Sequence, residues 1–304
     1  MARPWTTHDI PDLSGRVALV TGGNAGLGLA TVGELARHGA HVILTSRSAE
    51  RGAQAVAALG DAAERVDVLS LDLADLASIA DAAEQVRQRH ERLDLLVNNA
   101  GIMAVPAGVT TDGFERQMGT NHLGHFALTG RLLDLLVGTQ GARVVNVSSI
   151  AHRMGEYRPG LADAPGADYK PWRAYGASKL SNLLFTYELQ RRLTSHRSAA
   201  IALAAHPGTA GTGLGDHLFA NRAGRVLQPV FRRMTQSPEA GAWPTLRAAT
   251  DPAALGGQYY GPRGLREQRG APVVVTSIPA SYDVASAQAL WQESEELTGV
   301  SFPV

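Results

Sequence analysis

Tyr175 and Lys179 stand four residues apart in the segment Tyr-Gly-Ala-Ser-Lys. This spacing makes two side chains neighbours on one face of a helix. A phenol with an ordinary pKa of about 10 keeps its proton at neutral pH, and a nearby ammonium lowers that value by favouring the phenolate. Bringing it to about 7 needs ~4 kcal/mol of differential interaction, attainable in a site that a bound cofactor has dried. The pair therefore reads as a general acid/base: Tyr175 hands a proton to a carbonyl oxygen under reduction, or takes one from an alcohol under oxidation. An isolated Tyr-x-x-x-Lys is more often a solvated surface pair, so its companions decide the reading.

The first companion is glycine-rich. Thr21-Gly22-Gly23-Asn24-Ala25-Gly26-Leu27-Gly28 follows an apolar run and opens a helical stretch. Gly22, Gly26 and Gly28 allow a tight turn and close approach of the backbone to a pyrophosphate, and the helix N-terminus adds free N–H groups and positive potential. Gly22, Asn24, Gly26, Leu27 and Gly28 thus form a candidate dinucleotide turn. The spacing G-x-x-x-G-x-G differs from the G-x-G-x-x-G fingerprint, and no Gly-Lys-Ser/Thr follows, so it is not a phosphate loop of the Walker type. The next β-rich run ends Thr45-Ser46-Arg47 with no acid where a carboxylate would bind a ribose 2′-hydroxyl. A guanidinium at Arg47 forks onto a 2′-phosphate and Ser46 adds a hydrogen bond, which favours NADP over NAD. The bland alternative for Arg47 is a solvated charge at a helix entry.

These residues need elements to hold them. Apolar runs at 17–20, 42–45, 66–71, 93–97, 144–147 and 201–205 alternate with helical stretches at 26–38, 49–58 and 75–89. That alternation predicts an α/β fold with one doubly wound parallel sheet covered by helices on both faces, in a single domain spanning 1–304. Glycine is abundant, 33 of 304 residues, and the excess sits where strands turn into helices. Two segments break the pattern, 150–172 and 209–237, each leaving the carboxyl edge of the sheet where open α/β folds bind ligands. They read as lids, with Gly155, Gly160, Gly166, Gly211, Gly213 and Gly215 as hinges. Met154, Tyr157, Trp172, Leu214, Leu218 and Phe219 are candidates to face a bulky apolar substrate.

Taken in order, the Thr21–Gly28 turn, Asn98-Asn99-Ala100-Gly101, Asn121, Ser148-Ser149, Tyr175-x-x-x-Lys179 and Pro207-Gly208 closely resemble the short-chain dehydrogenase/reductase family, over about residues 12–300. The stretches NHLGHFALT and VVNVSSIAHR, the long interval from Ser149 to Tyr175 and the ending SEELTGVSFPV resemble its retinol-dehydrogenase-like branch. The resemblance implies a Rossmann fold and a catalytic set of Asn121, Ser149, Tyr175 and Lys179. In it Lys179 also holds the nicotinamide ribose, Ser149 hydrogen-bonds the substrate oxygen and Asn121 holds a water that relays the proton. It further implies that Asp72 accepts from the adenine amine while Leu73 covers the ring. Asn99, Ala100 and Gly101 line the adenosine ribose and diphosphate, Pro207, Gly208 and Thr209 pack beside the nicotinamide, and Thr212 contacts its carboxamide or a phosphate. The run 208–213 is richer in glycine than the branch pattern.

Composition narrows the rest. Lys+Arg and Asp+Glu balance at 28 each, which gives no electrostatic reason to expect nucleic acid. The absence of cysteine excludes disulfides and thiolate chemistry and fits a cytoplasmic setting. Residues 1–15 lack a basic head followed by an apolar run, and the longest apolar run, 199–205, is far below the ~18 residues of a membrane span. His122-x-x-His125 could hold a metal, but no His-Glu-x-x-His or acidic cluster accompanies it, so no metal is expected and packing beside Asn121 is preferred. Ser149 with His152 lacks the G-x-S-x-G elbow of a hydrolase. Arg222, Arg225, Arg232 and Arg233 read as the solvated face of a lid helix, with a membrane-surface helix as the alternative. Trp243 and Tyr259-Tyr260 serve the core or a contact in a homo-oligomer. Two classes remain: an NADP-dependent oxidoreductase acting on a small-molecule carbonyl or alcohol, and a non-catalytic NADP-binding sensor or scaffold, a fate that usually erodes the Tyr or Lys retained here.

Overall fold

The computed structural model describes residues 3–209 and 236–304. Eight strands form one sheet in the order β3-β2-β1-β4-β5-β6-β7-β8: β1 Val17–Val20, β2 His41–Ser46, β3 Val66–Ser70, β4 Leu95–Asn98, β5 Arg143–Val147, β6 Ile201–Ala205, β7 Tyr259–Pro262 and β8 Pro272–Val275. The first seven are mutually parallel, whereas β8 runs antiparallel to β7, with Tyr259 opposite Val275 and Pro262 opposite Pro272. The doubly wound parallel sheet expected from the alternation is present, with β8 added as an antiparallel edge strand. Residues 263–271 are fewer than the roughly dozen residues that a parallel crossover requires, so the chain folds back on itself.

Alternate residues along each strand enter different cores, as a sheet covered on both sides demands. Leu19, Ile43, Leu96 and Val144 face one layer, built from α3 (Leu76–Arg89), α5 (Gly124–Arg131), α7 (Pro171–Ser195) and α9 (Val284–Thr298), where Ile79, Phe126, Phe185 and Trp291 pack. Val20, Leu44, Val97 and Val145 face the other, where Val32 and Leu35 of α1 (Gly26–Arg37) meet Leu246 and Ala249 of α8 (Pro238–Thr250). Each of these side chains is worth roughly 1.5–3 kcal/mol when buried, which makes the two layers the main source of stability.

Three of these helices are closed at their start by side chains. Asp75 accepts from the Ala77 and Ser78 amides, Ser237 from Ala240 and Asp283 from Ser286. Helix α1 is different: Ala25 at its N-cap offers no side-chain bond, so its first amides stay available. Helix α4 (Arg116–Met118) runs into α5 through one π-helical turn, Gly119–Leu123, which carries Asn121. Such turns are often found at functional sites.

Candidate active site

The chain leaves β1 toward β2 and β3, then returns to place β4 on β1's other side. The carboxyl ends of β1 and β4 therefore flank the crevice that such a reversal opens. A cavity of about 1350 Å³ lies there, larger than the ~300–1,000 Å³ that encloses a drug-sized ligand. Its wall includes Gly22, Asn24, Gly26, Leu27, Gly28, Ser46, Arg47, Asp72, Leu73, Asn99, Ala100 and Gly101 on one side, and Ser149, Tyr175, Lys179, Pro207, Gly208 and Thr209 on the other. Of the sequence-derived candidates, Asn121 sits behind this wall, and Thr212 lies outside the described residues, as do Leu214, Leu218, Phe219 and the arginines at 222–233.

The glycine turn is built for close approach. Gly22 and Gly26 have φ of 63° and 53°, a region that disfavours any side chain. A Cβ on Gly28 would overlap the Gly22 carbonyl oxygen and come within 2.7 Å of Asn99 Nδ2. Thr21 knits this turn to β4: its Oγ1 accepts the Asn99 and Ala100 amides, both at 2.9 Å, while Asn99 Nδ2 donates to the Thr21 carbonyl at 2.8 Å. At the end of β2, Arg47 is exposed and carries neither a hydrogen bond nor an ion pair to the described residues. Ser46, also in the cavity wall, bonds the loop that follows it. Its hydroxyl donates to the Ser48 carbonyl at 2.9 Å and accepts the Ser48 amide, so it shapes the loop that presents Arg47. Asp72 Oδ1 accepts the Ala74 amide at 2.9 Å, which fixes the carboxylate that lines the cavity.

Helix α7 begins with Pro171, whose missing N–H costs nothing at that position, and its second and third turns bring Tyr175 and Lys179 to the cavity. Both are buried, and the ammonium lies 5.9 Å from the centre of the phenol ring. Burial raises the Tyr175 phenol above its ordinary value, with the hydrogen bond from Ser149 acting in the opposite sense. Burial also pulls Lys179 down to about 8. In this structure desolvation sets the direction for the phenol, and the ammonium turns to the backbone, its Nζ donating to the Val147 carbonyl at 3.0 Å. Ser149 caps the short 3-10 turn Ile150–Met154, its Oγ accepting the Ala151 amide at 3.2 Å.

Asn121 ties the two halves of the site together. Its Oδ1 accepts the Ile102 amide at 2.8 Å, and its Nδ2 donates to the Ile102 carbonyl at 2.9 Å and to Ser178 Oγ at 3.0 Å. Both amide hydrogens are engaged within the protein. His125 Nδ1 donates to the Asn121 carbonyl at 3.0 Å, so Nε2 accepts the Thr21 hydroxyl at 2.9 Å. Burial lowers His125 to about 4 and His122 to about 3, keeping both neutral, and His122 Nε2 bonds Ser294 instead. Among the described residues no group of three or more His, Asp or Glu side chains is arranged to hold a metal. Thr21, His125, Ser178 and Asn182, whose Nδ2 donates to the Val147 carbonyl, were not foreseen as site residues. The signals were there: Thr21 heads the glycine turn, His125 stands four residues after Asn121, and Asn182 shares a helix face with Lys179.

The segment 150–172 packs closely on the body. Gly155 packs so tightly on Gly176 that a Cβ would overlap the Gly176 carbonyl, and the Gly160 amide donates to Glu293 of α9 at 2.8 Å. Tyr157 turns away from the cavity, with its hydroxyl on Glu293 and its ring packed by Leu180 and Ala162. Met154 and Trp172 do line the cavity and are half exposed, at 57% and 45%.

The model of the short chain dehydrogenase family matches residues 16–223, a span that holds the Thr21–Gly28 turn, Asn121, Ser149, Tyr175, Lys179 and Pro207-Gly208. The chain belongs to the short-chain dehydrogenase family. It is an oxidoreductase of a family that binds NAD(P). Human retinol dehydrogenase 13 is 38% identical over 298 residues, covering 96% of this chain and 87% of the relative. Human polyprenol dehydrogenase is 37% identical over 300 residues, covering 95% and 87%. An uncharacterized protein from Mycobacterium paratuberculosis superposes with a TM-score of 0.83 at 42% identity, over 99% of this chain and all of that one. The Pseudomonas aeruginosa RhlG/NADP complex superposes with a TM-score of 0.64 at 27% identity, over 82% and 94%. No helix among the described residues of this short-chain dehydrogenase is long and apolar enough to cross a membrane.

Proposed function

We propose that the chain is an NADP-dependent oxidoreductase that interconverts a carbonyl and an alcohol on a bulky, mostly apolar substrate, with Tyr175 as general acid/base. The observation that carries this reading is one cavity joining the Gly22–Gly28 turn and Arg47 at one end to buried Tyr175, Lys179 and Ser149 at the other. The residues suit a dinucleotide. The uncapped start of α1 offers amides to a diphosphate, and no Cβ fits at Gly28. A Cβ at Gly101 would stand 3.4 Å from Lys179 Nζ, so backbone and ammonium share one narrow space. Gly22, Asn24, Gly26, Leu27 and Gly28 would hold the diphosphate, Asp72 and Leu73 the adenine, Asn99, Ala100 and Gly101 the adenosine ribose, and Pro207 to Thr209 the nicotinamide side.

Bound there, a nicotinamide supplies or takes the hydride. Ser149 donates to the substrate oxygen and holds it against Tyr175. The phenol, raised by burial, carries its proton at neutral pH and delivers it to that oxygen as it gains negative charge. Lys179 balances the phenolate left behind, and Asn121 holds the loop that begins at Ile102 while its free lone pairs orient a relaying water. Trp172, whose ring meets that of Tyr175 edge-on, and Met154 give the substrate an apolar wall. Two relatives are named for retinol and polyprenol, both apolar alcohols, which agrees with that wall.

Two outcomes test this. NADPH absorbance is expected to fall when the protein meets a panel of apolar aldehydes and ketones. No loss of absorbance with any member would return the chain to the class of cofactor-binding sensors. The wild type is also expected to bind NADPH about tenfold to a hundredfold more tightly than NADH, the range of a charge-assisted hydrogen bond to phosphate. Arg47→Ala should bring the two affinities together in a fluorescence titration, and an unchanged ratio would remove Arg47 from the phosphate site.

A further inference from the structure

Beyond the family machinery lies a clamp that nothing in the motifs announced. Glu267 sits in the loop between β7 and β8 and reaches two other segments. Its Oε1 accepts from Arg153 at 2.8 Å, and its Oε2 faces His206 Nε2 at 3.0 Å. Arg153 belongs to the short turn that Ser149 caps. His206, with a fully buried side chain, immediately precedes Pro207 and Gly208.

The imidazole has one tautomer here. Its Nδ1 accepts the Gly208 amide at 3.2 Å, so the proton is on Nε2 and is donated to Glu267. Room for the ring is made by Gly261 of β7, where a Cβ would overlap Nε2. The backbone is interlocked as well. The Thr209 amide donates to the Gln268 carbonyl at 2.9 Å, and Gly208, with φ of 68°, packs so close that a Cβ there would strike that carbonyl.

The loop is strained. Arg266 and Glu267 are consecutive non-glycine residues with φ of 52° and 57°, a left-handed pair that costs of order 1–3 kcal/mol per residue unless its surroundings enforce it. The loop is held by backbone bonds, Glu267 N–H to the Gly264 carbonyl at 2.8 Å and Gly264 N–H to the Arg269 carbonyl at 2.9 Å, and by the double hold on the Glu267 carboxylate, which hydrogen bonding by His206 keeps below the usual carboxylate range. The consequence reaches the cavity, because Arg266 and Gln268 on either side of Glu267 form part of its wall beside Gly208 and Thr209.

We propose that Glu267 is a positioning residue that locks the Pro207–Thr209 segment and the Ser149 turn into one unit through His206 and Arg153. It touches neither substrate nor cofactor. The proposal rests on the cofactor-binding reading above and deepens it, since it adds a positioning loop to that site.

Three variants of the whole protein test it: Glu267→Ala, Arg153→Ala and the double variant. Each is assayed by NADPH titration, by steady-state kinetics with a carbonyl the wild type reduces, and by trypsin, which cuts after the loop arginines 263, 266 and 269 only when the loop opens. Glu267→Ala is expected to raise the NADPH dissociation constant and substrate KM about tenfold, the size of one lost charge-assisted hydrogen bond, with kcat within about threefold. Trypsin should cleave its loop at least ten times faster while thermal unfolding stays cooperative. Because the two residues act through one contact, the double variant should be no worse than Glu267→Ala. Wild-type NADPH affinity and wild-type cleavage in Glu267→Ala would overturn the proposal, as would additive losses in the double variant. Failure of the wild type itself to bind NADPH would strike the cofactor reading instead, a separate result.

Discussion

Tyr175→Phe is expected to lower turnover at least ~100-fold, the lower end of what a positioned general acid/base contributes, while the affinity for NADPH stays near that of the wild type. The substitution removes one hydroxyl. The ring keeps its place in the α7 wall, edge-on to Trp172 at 6.1 Å between centroids and out of solvent, so the fold has no cavity to repair. Burial has raised the phenol, which means the proton for carbonyl reduction is present throughout the neutral range. In the direction of alcohol oxidation the same raised value slows the enzyme at low pH, because the phenolate must form first. Stopped-flow or steady-state turnover beside a cofactor titration checks both halves of this expectation. A variant that turns over at nearly the wild-type rate would place the proton transfer elsewhere.

Lys179→Met is expected to abolish useful turnover and weaken NADPH binding, yet to make the folded protein more stable at pH 7. The reason is the buried ammonium. Lys179 titrates at about 8 in the folded chain against 10.5 for the free side chain, because burial penalises its charge. Between about pH 8 and 10.5 the unfolded chain still binds a proton that the folded chain has released, so wild-type stability rises with pH across that window. Below pH 8 the folded state bears the whole penalty, on the order of 3 kcal/mol. Methionine fills a similar volume without charge, and the Val147 carbonyl keeps its second donor, Asn182 Nδ2 at 3.2 Å. Urea unfolding of both proteins at pH 7 and pH 10 should show the variant ahead at pH 7 and the gap closing at pH 10. A variant less stable than the wild type at pH 7 would mean that the ammonium's bond to Val147 outweighs its desolvation.

The pair illustrates why the i, i+4 spacing located Tyr175 and Lys179 but did not carry the effect of burial on their titration. Spacing along a helix is local and survives any packing, so the two groups had to share a face. The charge of each depends on how far water is excluded and on which carbonyl the ammonium meets, and both are properties of neighbours distant in sequence. The same division explains Ser46 and Tyr157. Their positions at a strand end and in a connecting segment were legible, yet the hydroxyl of one turned to Ser48 and that of the other to Glu293, 136 residues away.

What the sequence by itself determined is the set of features that repeat with a period or sit in one short window. These are the alternating strands and helices, the glycine turn at 22–28, Arg47 at the end of β2, and the order of Asn121, Ser149, Tyr175 and Lys179. Each follows from side-chain size, backbone freedom or helix geometry over a few residues. Only the tertiary structure decided the antiparallel β8, whose direction follows from the shortness of residues 263–271. It alone joined Thr21 to Asn121 through His125, across 100 residues, and Arg153 to His206 through Glu267. Those links arise because a parallel sheet brings every strand's carboxyl end to one edge, where loops far apart in the chain must satisfy one another's buried polar groups.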